Sequence, residues 1–327
     1  MAGIKDDQVA LYLKDMYKAE REGYTEQPTT YNQVYKVKTG ADGAGDKVTQ
    51  ILGAGPLTRH TVEGQDINFK SPVQGWEFLV KYWTYSDGLS LTKEAVEDTV
   101  KLGNLLNELS NTWGKQVRIA KEEMGAVVFN RGGDLTGEWI FNGSHTGNTD
   151  SSGDLLYDSK PLFNLTGNTR SSKGGGTYYN SIAGLDVTPG NFERLYNLAT
   201  ATNNRDERDQ VVKNVVDCIL VKPGEDYFKA WRIVNTERGF PGQDINDANP
   251  YYKMASVINW DYLTDTSPVF YVGKKQSPDF QFHERQNSEI RFFRDENNQG
   301  YKASITIRIG VLIKNWRCWV RGGGTSA

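Results

Sequence analysis

Residues 91–129 read LTKEAVEDTVKLGNLLNELSNTWGKQVRIAKEEMGAVVF, and within them Leu102, Leu106, Leu109, Trp113, Val117, Ala120, Met124 and Val127 recur at steps of three and four. That period keeps one face of a helix apolar for about seven turns. Ser90 is placed to cap its start, and Glu94, Glu97 and Asp98 put negative charge at the positive end of the helix dipole. At about 1.5 Å per residue such a helix spans roughly 55–60 Å, longer than a compact domain requires. It reads as a strut.

Gly103, Gly114 and Gly125 lie eleven residues apart along it, and therefore in one column. Each costs about 1 kcal/mol relative to Ala. The apolar stripe, at about 1.5–3 kcal/mol per large buried side chain, outweighs them several-fold. The column predicts a close backbone contact or a bend.

The rest of the chain fits around this helix. Its 327 residues suffice for one large or two ordinary domains. Mean hydropathy is −0.61, and no run of about 18 apolar residues marks a membrane span. The opening MAGIKDDQVALYLKDM lacks the charged-then-apolar pattern of a signal peptide. A net charge of −3 argues against coating nucleic acid through the chain's own charge. Cys218 and Cys318 read as free buried thiols, in keeping with a reducing cytoplasm. With 34 glycines and 12% aromatic residues, many turns and β-structure are expected around the one long helix.

In order, residues 5–19 predict an amphipathic helix with Val9, Tyr12, Leu13 and Met16 on one face, and 20–33 an extended arm. Residues 34–88 read as an elongated strand pair, with limbs over 48–69 and 76–85 and a turn-rich tip at 63–75. A two-stranded ribbon is marginal alone in water, so a neighbouring subunit is the economical cover. Residues 131–187 are glycine- and asparagine-rich loops with short strands. Thr188 caps a helix that has Pro189 at its first position. A buried strand at 215–221 follows, then a helix over 225–235 with Phe228, Trp231 and Val234 facing inward, and strands near 255–259 and 269–272. A hairpin pairs 288–294 with 301–313, its Ile305, Ile307, Ile309, Val311 and Ile313 on one face, which suits the stripe of the long helix. The tail GGGTSA is expected to be flexible.

No reactive centre emerges. His60, His145 and His283 lack a second ligand at metal spacing. Ser90 and Lys93 match S-x-x-K, and Lys38-Thr39-Gly40 matches K-T-G, but in the wrong order and without S-D-N. Glycine runs at 40–45 and 173–176 lack the K-[ST] of a phosphate loop. Asp244, Asn246, Asp247 and Asn249 lack the glycine and distal Glu of a calcium loop. A strut, an uncovered ribbon, a detached arm and mixed surface charge favour self-assembly over catalysis, with no cofactor, no metal and no membrane partner expected.

This order of elements resembles the major capsid proteins of tailed double-stranded DNA bacteriophages, the HK97-like fold, over nearly the whole chain. The most family-like stretches are YSDGLSLTKEAVEDTV, DCILVKPGEDYFKAWRIV and NNQGYKASITIRIGVLIKNWRCW. The resemblance implies an α+β fold with an N-arm (1–33), an extended β-ribbon or E-loop (34–88), a peripheral domain with the spine helix (89–130 and 285–321), an axial α/β domain (131–284) and a flexible tail (322–327). It implies hexamers and pentamers closed into an icosahedral shell around double-stranded DNA, without sequence-specific binding, in a virion assembled in the host cytoplasm. With about 90 residues before the spine helix, a separate scaffolding protein is expected, beside a portal and a possible decoration protein. No covalent crosslinks are expected. Arg59, Glu63, Asp66 and Lys70 near the ribbon tip are candidates for pairing with a neighbour's peripheral domain; exposed pairs contribute under about 1 kcal/mol each. The alternatives are an encapsulin-like protein compartment shell and a serine hydrolase using Ser90 and Lys93.

Overall fold

The computed structural model describes residues 6–40, 45–52, 57, 59–64, 66–67, 69, 71, 73–92, 102–133, 160–239, 247–264, 269–294 and 300–323. The first helix, α1 (Asp6–Thr25), buries Met16 fully, and Tyr12 and Leu13 pack beside it, as the face at 5–19 predicts. It runs on to Thr25, and Tyr31–Val34 forms a further turn, α2. The stretch expected to be an extended arm is therefore largely helical and packed on the chain's own body. The physical reason lies in the glycine column described below.

Four strands follow: β1 (Tyr35–Thr39), β2 (Gly45–Leu52), β3 (Val73–Lys81) and β4 (Trp83–Leu91). β2 and β3 pair antiparallel from Gly45↔Lys81 to Leu52↔Val73. The ribbon is thus real, with its paired limbs at 45–52 and 73–81; four residues of the expected second limb, 82–85, lie past Lys81, where the chain changes partner and Trp83 pairs with β12. The long helix, α3 (Leu102–Asn130), buries Leu102, Leu106, Trp113, Val117 and Met124 along the predicted stripe. Ser90 does not cap it. Ser90 lies in β4 opposite Lys302, where alternating Tyr85, Leu89 and Leu91 and a full ladder of backbone bonds outcompete a helix start. Glu94, Glu97 and Asp98 fall outside the described residues.

The remaining elements are β5 (Arg170–Ser171), β6 (Thr177–Tyr178), β7 (Ser181–Ile182), α4 (Pro189–Asn197), β8 (Cys218–Val221), α5 (Glu225–Asn235), β9 (Ser256–Asn259), β10 (Val269–Gly273), β11 (Ser277–Arg294), β12 (Tyr301–Ile313) and β13 (Trp319–Gly323). Two larger sheets organise most of them, one in the order β1-β11-β12-β4 and one in the order β7-β13-β10-β8-β9, while β5 and β6 pair with each other. In β12, Ile305, Ile307, Ile309, Val311 and Ile313 are buried as predicted, joining α3 in one core. β13 carries the chain from that sheet into the second one. Gly322 and Gly323 consequently sit in a strand paired with β10, not in a loose tail.

Thr188 caps α4 by accepting the Asn191 amide at 3.3 Å, the arrangement its sequence predicts. α5 departs from expectation. Ala230, Ile233 and Val234 face inward, while Phe228 and Trp231 are 61% and 48% exposed. The small Ala230 at the centre of the inner face lets the helix approach the sheet, and the two aromatic residues lie on its other side.

The five-stranded sheet divides two cores. Alternate side chains of β10 split between them, Val269 and Tyr271 toward α3, Phe270 and Val272 toward α4 and α5. β8 does the same, with Cys218 and Leu220 on one side and Ile219 and Val221 on the other. Continuous apolar strands of this kind are those covered on both faces. Phe129, at the end of α3, closes the first core, its ring centroid 5.0 Å from Tyr271, 5.3 Å from Trp319 and 6.2 Å from Tyr35.

Candidate assembly surface

The ribbon leaves the body at Val80, which is fully buried. At its base the Tyr82 hydroxyl and His283 Nδ1 share a 3.1 Å hydrogen bond, and the Arg285 guanidinium lies over the Tyr82 ring at 5.4 Å. Beyond this anchor, no third strand joins β2 and β3 among the described residues. The tip that follows exposes Leu57 completely and Phe69 by 89%, with Val62 and Ile67 also largely outside. Large apolar side chains so displayed on a projection are what an interacting surface uses. Arg59, Glu63 and Asp66 are exposed on the same tip; Lys70 lies outside the described residues. Sequence reasoning named the charges and missed the apolar residues, although their spacing among turn-forming residues was visible.

The other predicted outlier, the N-terminal segment, is held to the spine by contact without intervening side chains. A Cβ on Gly114 would strike the Glu20 carbonyl of α1, and one on Gly23 would strike the Asn111 carbonyl of α3. Gly125 faces Trp260, 3.0 Å from where a Cβ would stand, and Gly103 faces Tyr12 at 3.4 Å. The glycine column is therefore a close packing seam.

Beside the seam lies a buried polar clasp. The Glu122 carboxylate accepts the Thr30 amide at 2.5 Å, the Tyr31 amide at 3.3 Å and the Trp260 indole N–H at 2.6 Å. Burial pushes the Glu122 pKa above its ordinary value, against the opposing pull of these donors. Next to it, Lys121 donates to Glu284 at 2.9 Å, and the Tyr31 hydroxyl donates to the same carboxylate oxygen at 2.8 Å. Both charged partners are under 9% exposed. Such a pair gives specificity more than net stability.

Among the remaining candidates, His283, Ser90 and Asn249 have structural partners. His283 is buried between Tyr82 and Gln281, and His60 is exposed; His145 lies outside the described residues. Ser90 is in a strand, not at a helix start beside Lys93, which lies outside the described residues, as do Asp244 and Asn246. Asn249 donates to the carbonyls of Ile233 and Thr236 at the end of α5. Cys218 and Cys318 are free and buried, and burial pushes the Cys318 thiol up to about 12. Among the described residues no group of His, Cys, Asp and Glu could hold a metal, and no helix is long and apolar enough to cross a membrane.

No protein-family model and no curated protein matches the sequence. Solved structures do. The capsid structure of the cyanophage P-SCSP1u aligns over 92% of this chain and 89% of its own, with a TM-score of 0.49 at 10% identity. A virus-like particle from Pyrococcus furiosus aligns over 95% and 98%, with a TM-score of 0.48 at 10% identity. The capsid of a native GTA particle aligns over 90% and 91%, with a TM-score of 0.49 at 10% identity.

Proposed function

We propose that this chain is the major capsid protein of a tailed bacteriophage, a structural protein and not an enzyme. It assembles into hexamers and pentamers of an icosahedral head enclosing double-stranded DNA, with a separate scaffolding protein, a portal and a possible decoration protein as partners. The observation that carries the reading is the ribbon: two strands long, anchored at Val80 and Tyr82, and ending in a tip whose Leu57, Val62, Ile67 and Phe69 are exposed. A pair of strands is marginal alone, and apolar tips find cover against another copy.

In this reading 34–88 is the inter-subunit ribbon, 89–130 with 285–321 the peripheral domain and 131–284 the axial domain. Residues 1–33 act as an N-terminal clamp on the spine more than as a free arm, since α1 is seated on α3. Electron microscopy of the expressed protein, alone and with its candidate scaffold, tests the reading. Closed shells are the expected result; a soluble monomer under every condition would refute it. Nucleic acid in particles from infected cells, as opposed to a co-purified protein cargo, separates a phage head from a compartment shell.

A further inference from the structure

A groove of about 180 Å³ opens between α3 and the sheet, walled by Tyr85, Trp113, Val117, Ala120, Ile305 and Ile307. It is smaller than the roughly 300–1,000 Å³ of small-molecule pockets. A cavity of about 150 Å³ nevertheless holds a benzene, so one aliphatic side chain fits. The mouth is acidic. Asp87 stands there, exposed, its carboxylate accepting the Trp113 indole N–H at 2.8 Å. Glu123, also exposed, lies close enough to add to the effect of burial in raising the Tyr85 pKa. Among the described residues no Lys or Arg lines the groove.

An occupant must therefore combine a projecting apolar side chain with a nearby base. On the ribbon tip Leu57 is fully exposed with Arg59 two residues on; Val62 and Ile67 stand beside Glu63 and Asp66, and Phe69, followed by Lys70, carries a bulkier aromatic ring in place of an aliphatic side chain. Phe228, Trp231 and Phe293 are exposed too, but they sit on elements flush with the body. The chain's own tip is out of reach. Trp83 pairs with Ile309, while Tyr82 bonds His283, whose partner in β12 is Gly310, so β3 enters along the line of β4. At about 3.3 Å per residue this sets Val73 roughly 45 Å from Asp87, with the tip beyond.

We infer that Leu57 of one copy seats in this groove of a second copy, with Arg59 over Asp87 and Glu123. The inference rests on the shell reading and names the contact that reading leaves open. In the full chain, whose native cysteines are both buried, Leu57→Cys combined with Gln116→Cys, on the exposed α3 wall of the groove, should give an interchain disulfide ladder at least about tenfold stronger than either single variant. Ala120→Phe, which fills the groove, should abolish shells. Arg59→Glu should weaken assembly, and Glu123→Arg in the same chain should restore it; both sites are exposed, so folding is not at issue. If wild type assembles while the ladder is not enriched and the charge swap rescues nothing, the seat is overturned and the shell reading stands. If wild type never assembles, both fall.

Discussion

Gly114 of α3 lies directly against the backbone carbonyl of Glu20 in α1, with no room for a Cβ between them. Gly114→Ala should therefore force the helices apart at a cost of about 1–3 kcal/mol, larger than the roughly 1 kcal/mol that Ala gains within a helix. Gly103→Ala meets only the Tyr12 ring at ordinary distance, and should be neutral or slightly stabilising. Urea unfolding of the two variants checks the contrast; equal effects would mean the seam is looser than drawn.

Glu122 gives a pH test. Its folded pKa stands above the ordinary value of 4.5, chiefly through burial, so the folded chain binds this proton more readily than the unfolded one. Its contribution to stability is full below 4.5 and is lost as pH rises through the raised value. Glu122→Gln cannot titrate, so the stability of wild type relative to this variant should decline from pH 4.5 toward neutrality. A constant difference across that window would contradict the assignment. Glu122→Ala, which strands two amides and an indole N–H, should cost about 3 kcal/mol or more.

The two sides of α5 should respond oppositely to truncation. Ile233→Ala removes a fully buried side chain and should cost about 2–5 kcal/mol. Phe228→Ser and Trp231→Ser, on the exposed side, should change stability by no more than about 0.5 kcal/mol. Thermal melts of the three variants decide whether the outer aromatic pair belongs to the fold.

On the ribbon, replacing Leu57, Val62, Ile67 and Phe69 together by Ser removes apolar surface that is exposed. The melting temperature should hold, while particle formation seen by electron microscopy should be lost. Deleting 55–75 should act alike: a folded protein without shells. Normal particles from either variant would remove the ribbon from the assembly mechanism.

How much of this could be read beforehand follows from how local each signal is. The stripe of α3 and the alternating isoleucines of β12 repeat often enough to define their elements, and Thr188-Pro189 marks a helix start by chemistry confined to a few residues. The start of α3 was misread because Ser90 carries two compatible signals, a cap and a strand position, and its pairing with Lys302 lies over two hundred residues away. The inner face of α5 was misread because the sheet it meets favours a small Ala230 over two aromatic residues, a preference set by the partner surface. At the ribbon tip, charge drew attention to Arg59, Glu63 and Asp66. The apolar residues around them gain meaning only once they are seen to be exposed. The clasp at Glu122 joins residues 30, 122 and 260, a grouping that no single window of sequence contains.

Tyr271 and Phe270 are neighbours along one strand yet close opposite interiors. Loosening the side chains on one side frees the very backbone that seals the other. The two halves of the body should therefore exchange their amide hydrogens and denature as one cooperative unit, and strain applied at either should be felt across the sheet.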